Sequence, residues 1–173
     1  MSENDLQSLA KFTNGAYILH YSGNCVLLAT CLYYNLLQGK KLISVKNISS
    51  PLIGLESIIV EEMIFGSSLD TLADRLSSIQ MVTSKIQEEH AKTGRLYYNI
   101  LAEGYMLPIL GESGHAFNAA IVNDNKVLYV DAWKTSNYIT SSEMMYSRFS
   151  KGASFEIRIM SIAAIRDNRW TRS

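Results

Sequence analysis

The spacing of apolar positions changes along the chain, from helical in the first half to alternating in the second. The longest apolar run begins at Cys25, is hydrophobic nearly all round, and predicts a helix over 25–38 buried in the middle of a domain. Ser22 or Asn24 can cap its start, Gly39 stands in the usual stop position, and Lys40-Lys41 suit its negative end. Leu55, Ile58, Ile59 and Met63 recur at helical spacing with Glu56, Glu61 and Glu62 between them, predicting a surface helix over 55–65. Leu69, Leu72, Ala73 and Leu76 keep the helical period, and a more polar helix over 84–92 is expected to end before Gly94. His90, among Gln87, Glu88, Glu89 and Lys92, reads as an exposed side chain.

From Tyr105 the period falls to two. Strands are predicted over 106–110, 116–122 and 126–133, the last two joined by the turn Asn123-Asp124-Asn125. A short helix over 141–149 and a final strand over 154–162 complete the series. No repeat or heptad series is visible, so helices followed by strands predict one α+β domain over residues 1–173.

Composition narrows the function classes. A chain of 173 residues with 47% hydrophobic and 18% charged residues can bury a core without disulfides or metals. Sixteen basic and sixteen acidic residues cancel to a formal net charge of +0, which disfavours a nucleic-acid partner. The basic tail over 166–172 reads as a solvated segment without function. Two cysteines six positions apart make no disulfide framework and no paired metal site, so the thiols are expected to be free. Apolar runs are interrupted before the ~18 residues of a membrane span, and the polar start Met1-Ser2-Glu3-Asn4-Asp5 does not read as a signal peptide.

The chemistry gathers at three residues. Cys25 stands at a predicted helix start, where the helix field and a nearby imidazole favour the thiolate. His115 enters the predicted hairpin and Asp131 leaves it, and antiparallel pairing brings those two ends side by side. Nucleophile, base and orienter are the three roles of thiol acyl transfer, and these residues can fill them. Taken singly, each has a plainer reading: Cys25 as a buried structural thiol, His115 as a satisfied histidine, Asp131 as a strand-end cap. Cys31 projects about 120° from Cys25 on an ideal helix and reads as core. His20 precedes the helix without an acidic orienter and ranks second as base. The Cys25 backbone N–H can serve as one oxyanion donor, with the Asn24, Ser22 or His20 side chain as the second.

Gly23-Asn24-Cys25 before a buried helix, Gly114-His115-Ala116-Phe117-Asn118-Ala119-Ala120-Ile121-Val122, and Lys126-Val127-Leu128-Tyr129-Val130-Asp131 together resemble the papain-like domains of bacterial toxins and secreted effectors. The similarity covers about forty residues, and the order Cys, His, Asp is shared. It implies a papain-like arrangement, with the cysteine helix central and buried against an antiparallel sheet. It also implies a hydrolase in which Cys25 attacks an amide carbonyl, His115 handles protons and Asp131 orients the imidazole. The Gly-His-Ala-Phe-Asn strand is most similar to protein-glutamine deamidases, which makes side-chain deamidation the leading activity and papain-like peptide cleavage the alternative. Domains that cut after paired glycines during bacteriocin export are a further similar group.

Two departures from the resemblance are visible. Many such deamidases carry Gln two residues after the aspartate, where this chain has Trp133, a candidate oxyanion or substrate-side residue. Papain-like peptidases commonly carry Gln six residues before the cysteine, where this chain has Leu19. The expected partner is a protein substrate in a target-cell cytosol, with a cognate immunity or inhibitor protein as a second partner and no cofactor. A binding module that keeps the fold without catalysis is the reading from a different class.

Overall fold

In the computed structural model the segregation of helices and strands along the chain becomes a segregation into layers. The structure describes residues 1–15, 24–48, 56–107, 111–123, 125–133, 138–141 and 153–160, with the backbone alone at 24, 105–107 and 111–113. The first element, α1 (Glu3–Asn14), was not among the expected ones. Its signal is local: Ser2 and Asp5 form a capping box, and Gly15 ends the helix at φ 66°.

The buried helix α2 (Asn24–Gln38) runs where the apolar pattern places it. Every side chain from Cys25 to Leu36 is buried except the half-buried Val26. It stops as expected: Gly39 adopts φ 65°, its N–H donates to the Leu36 carbonyl, and the Lys40 N–H donates to the Asn35 carbonyl at 3.2 Å. The buried Asn35 side chain closes this end by accepting from the Leu42 and Ile43 N–H groups and donating to Thr13 Oγ1 and the Ile43 carbonyl.

Six antiparallel strands form one sheet: β1 (Asp70–Leu76), β2 (Tyr97–Leu107), β3 (Gly111–Val122), β4 (Lys126–Val130), β5 (Ile139–Ser141) and β6 (Ser154–Ile159), in the order β1-β6-β2-β3-β4-β5. Alternation sorts the side chains of β3 and β4 onto two faces. Ala120, Val122, Leu128 and Val130 join the core formed with α1, α2 and α3 (Ser57–Phe65). Phe117, Ala119, Val127 and Tyr129 join the core under α4 (Ile79–Thr93). The α+β class expected from the sequence is the one observed.

Three expectations need correction. The segment with apolar residues at 69, 72, 73 and 76 is the strand β1, not a helix. Its register against β6 shifts by one residue between Thr71 and Ala73 and again between Ala73 and Leu76. Two bulges in seven residues turn a period of two into a spacing that imitates a helix. Helix α3 exists but turns a different face inward from the one its sequence pattern suggests: Val60, Glu61, Ile64 and Phe65 are buried, while Ile58, Ile59 and Met63 are exposed. The cause is Arg158 on β6, whose guanidinium grips Glu61 through Nε at 2.7 Å and Nη2 at 2.6 Å. Glu61 also accepts from the Leu69 N–H, so a satisfied buried carboxylate displaces the apolar residues outward. Finally, His90 is half-buried rather than exposed, its Nδ1 set 3.1 Å from the Arg95 carbonyl.

Other boundaries moved. The helix expected over 84–92 begins at Ile79, residues 106 and 107 of the strand expected over 106–110 end the longer β2 while 108–110 lie outside the described residues, and the strand expected over 126–133 stops at Val130. The helix expected over 141–149 falls on residues outside those described, apart from Ser141, which ends β5. No helix among the described residues is long and apolar enough to cross a membrane.

Candidate active site

The β3–β4 hairpin builds half of the site. Asn123 and Asn125 take positive φ values of 40° and 87°, which asparagine tolerates better than most residues, and Val122 pairs with Lys126 across the turn. The pairing of Asn118 with Val130 puts Asp131 opposite Phe117, so His115 and Asp131 are diagonal neighbours on one face. The imidazole spans that diagonal, with Nε2 2.7 Å from Asp131 Oδ2. The other carboxylate oxygen, Oδ1, accepts from the Trp133 backbone N–H at 3.1 Å. Both groups are buried, His115 at 7% and Asp131 at 1% exposure.

Helix α2 supplies the other half. Cys25 is its second residue, 8% exposed and packed with Ala29 and Ala116. Its thiol hydrogen-bonds the His115 side chain. With Nε2 held by Asp131, Nδ1 is the ring nitrogen turned to Sγ. A second hydrogen bond to the sulfur comes from the Ala116 backbone N–H. The ladder explains why that donor is available. The Ile121 N–H donates to Leu96 on the β2 side, so by alternation the Ala116, Asn118 and Ala120 N–H groups point toward β4. Because β4 ends at Val130, opposite Asn118, the Ala116 N–H lies beyond the ladder and is turned over to the sulfur.

Electrostatics follow from this geometry. Burial pushes the Cys25 thiol up, but the His115 hydrogen bond, the imidazolium charge and the Ala116 N–H together hold it below its ordinary value of 9.0. Burial likewise works against the imidazolium of His115. The hydrogen bonds to Asp131 and then Cys25 outweigh it, and the pKa rises from 6.5 to about 9. Both shifts favour one arrangement, a thiolate beside an imidazolium backed by a carboxylate. Cys31 has none of these partners, lies fully buried in the core between the helices, and is shifted upward by burial alone.

The remaining candidates divide. Trp133 is brought to the site, its ring edge-on to His115 with centroids 5.4 Å apart and its N–H on Asp131, so it supports the base and orienter. Phe117 stacks on the imidazole at 5.8 Å. His20 and Ser22 lie outside the described residues, as does the side chain of Asn24, whose backbone begins α2. Sequence reasoning passed over the Ala116 N–H, which no side-chain pattern announces, and Asn118, an amide inside an otherwise apolar strand. Among the described residues no group of three or more His, Cys, Asp or Glu side chains could hold a metal ion.

Fold and site together define an α+β domain in which a buried Cys–His–Asp cluster joins a helix start to a β-hairpin. The chain belongs to the family of the Salmonella plasmid virulence protein SpvD, whose family model matches residues 1–161. It is 39% identical over 162 residues to the virulence protein SpvD of Salmonella dublin, an alignment covering 91% of this chain and 74% of that protein. The virulence protein vsdE of Salmonella typhimurium aligns with the same identity and coverage. Two solved variants of the Salmonella effector SpvD share the fold. One superposes with a TM-score of 0.81 at 37% identity over 94% of this chain and 80% of that one. The other gives 0.75 at 32% identity over 93% and 80%. These relatives place the chain among bacterial virulence effectors.

Proposed function

We propose that this effector is a thiol-dependent amide hydrolase of papain-like arrangement acting on a protein of the target cell through Cys25, His115 and Asp131. The observation that carries the reading is the continuous line from Sγ through the imidazole to a buried carboxylate, at the start of a helix. In the reaction the Cys25 thiolate attacks an amide carbonyl carbon and a C–S bond forms. The developing oxyanion is met by the Cys25 N–H, one of the first N–H groups of α2 that have no intrahelical acceptor. His115 then passes its Nδ1 proton to the leaving nitrogen, the C–N bond breaks, and a thioester remains. Water attacks that thioester while His115 takes the proton, releasing a carboxylate and restoring the thiolate–imidazolium pair. Asp131 keeps Nε2 occupied throughout, so that Nδ1 is the nitrogen that exchanges protons with sulfur and substrate.

The same steps deamidate a glutamine side chain or cut a peptide bond. The sequence resemblance around His115 makes deamidation the leading outcome. Incubating the protein with a target-cell lysate and reading substrates by mass spectrometry separates the two: conversion of an amide to an acid without fragments means deamidation, and new termini mean cleavage. Either product is expected to vanish in Cys25→Ser and in His115→Ala and to persist in His90→Ala. A biological effect that survives Cys25→Ala would instead identify a binding module.

A further inference from the structure

We propose that Asn118 is a positioning residue for the Cys25–His115 pair, its buried side-chain amide locking α2 to β3 one helical turn from where the sulfur meets the imidazole. This inference rests on the Cys25–His115 reading above. Asn118 is fully buried, and its Nδ2 donates 3.0 Å to the carbonyl of Ala29 in the middle of α2. Ala29 lies four residues after Cys25, one turn along the same helix face and roughly 6 Å below it. Asn118 lies three residues after His115, about 10 Å along the strand. One hydrogen bond therefore ties together the two elements that carry nucleophile and base, close to both.

The amide cannot rotate freely into another role. Its Oδ1 accepts from Nδ2 of Asn99 at 3.3 Å, and Asn99 is the residue paired with Asn118 across β2 and β3. With the oxygen turned toward β2, the Nδ2 group faces the helix. What surrounds this contact explains why a clamp is needed. The packing between the start of α2 and the sheet is centred on the small side chains of Cys25, Ala29 and Ala116, with Val26, Leu101 and Trp133 only partly buried around them. The far half of the helix is seated by the large side chains of Leu32, Tyr33, Tyr34 and Leu36 and fastened by the buried Asn35 amide. Two buried amides are costlier to desolvate than hydrocarbon of the same shape. Their position beside the small-residue end of α2 gives them a task that apolar packing there does not perform.

The test reads the geometry of the pair, not turnover. Iodoacetamide alkylation of Cys25 is followed against pH in the wild-type protein, in Asn118→Leu, and in Leu36→Ala, a core truncation at the opposite end of α2. The expected result is that Asn118→Leu folds cooperatively but shifts the alkylation profile upward, cutting the rate at pH 7 on the order of tenfold, which corresponds to one pKa unit. Leu36→Ala is expected to lower the melting temperature while leaving the profile where it was. If leucine is not accommodated, Asn118→Ala is measured in its place, and failure of both to fold would overturn the assignment by making Asn118 a folding residue. An unshifted profile in a folded Asn118 variant, or an equal shift in Leu36→Ala, would overturn it as well. A wild-type Cys25 that reacts no faster than Cys31 would sink the underlying thiol reading, and this inference with it.

Discussion

Replacing Asp131 with asparagine keeps the shape of the side chain and removes its charge, at a position 1% exposed where both carboxylate oxygens have work to do. Oδ2 faces His115 Nε2 at 2.7 Å and Oδ1 faces the Trp133 N–H at 3.1 Å. An asparagine can offer oxygen to only one of them. If its oxygen stays on His115, its NH2 confronts the Trp133 N–H, donor against donor. If it flips, the NH2 donates to Nε2, the imidazole proton is forced onto Nδ1, and the nitrogen beside the sulfur can no longer accept a proton. With the carboxylate gone, the burial that already opposes the imidazolium has less to overcome, so the His115 pKa drops from about 9. A charge-assisted hydrogen bond contributes about 1.5–3 kcal/mol, which at 1.4 kcal/mol per decade is roughly 10–100-fold in the ion-pair population. Adding the wrong tautomer, the expected loss of turnover at pH 7 is about 10²–10⁴-fold, in line with the same substitution in another triad. Turnover and the pH dependence of Cys25 alkylation are the two readouts. If Asp131→Asn leaves both as in the wild type, the carboxylate is only a strand-end group and the site runs as a dyad.

Cys25 should react with iodoacetamide far faster than Cys31 near neutral pH, because only Cys25 is held below its ordinary value while burial raises Cys31; mass mapping of the labelled thiols checks this, and equal rates would refute it. The pair also makes a prediction about stability. His115, raised from 6.5 to about 9, contributes stability present below pH 6.5 and lost as pH rises through 9. Cys25, lowered from 9.0, contributes stability present above pH 9.0 and lost as pH falls through its folded value. The two slopes oppose each other between these limits, so the wild-type melting temperature should be nearly flat there. Cys25→Ala, which keeps Asp131 on His115, should grow less stable as pH rises across the same window, and a flat curve for that variant would contradict a raised His115. Away from the site, Glu61→Gln strips the buried Arg158 of its main partner while Glu156 remains 2.8 Å away. A cost of about 3 kcal/mol, or roughly 6–12 °C in melting temperature, is expected with Cys25 alkylation unchanged; an unshifted melt would show that the pair is not seated as described.

Much of the site is written in local patterns. The apolar run after Cys25 and the stop at Gly39 are enough to specify a buried helix with a thiol at its start. The alternation around His115 and Asp131, with an Asn-rich turn between them, specifies a hairpin, and pairing in a hairpin brings its two ends together whatever surrounds it. These features are legible because each depends on neighbours within one turn of helix or one pair of strands. The meeting of the two halves is not local. By alternation His115 and Asp131 share the face of Phe117 and Tyr129, which pack under α4, whereas α2 lies on the opposite face. Only the docking of α2 near the end of β4 lets Cys25 reach the imidazole and the Ala116 N–H. The rotated face of α3 and the bulged strand β1 were hidden for the same reason. Glu61 turns inward because Arg158, 97 residues away, waits there, and the spacing in β1 is set by its register against β6. The chain by itself determined which segments are helix and hairpin wherever their partners are close in sequence. Which faces turn inward, and which two elements bring their reactive ends together, was decided by long-range burial and pairing that no local period encodes.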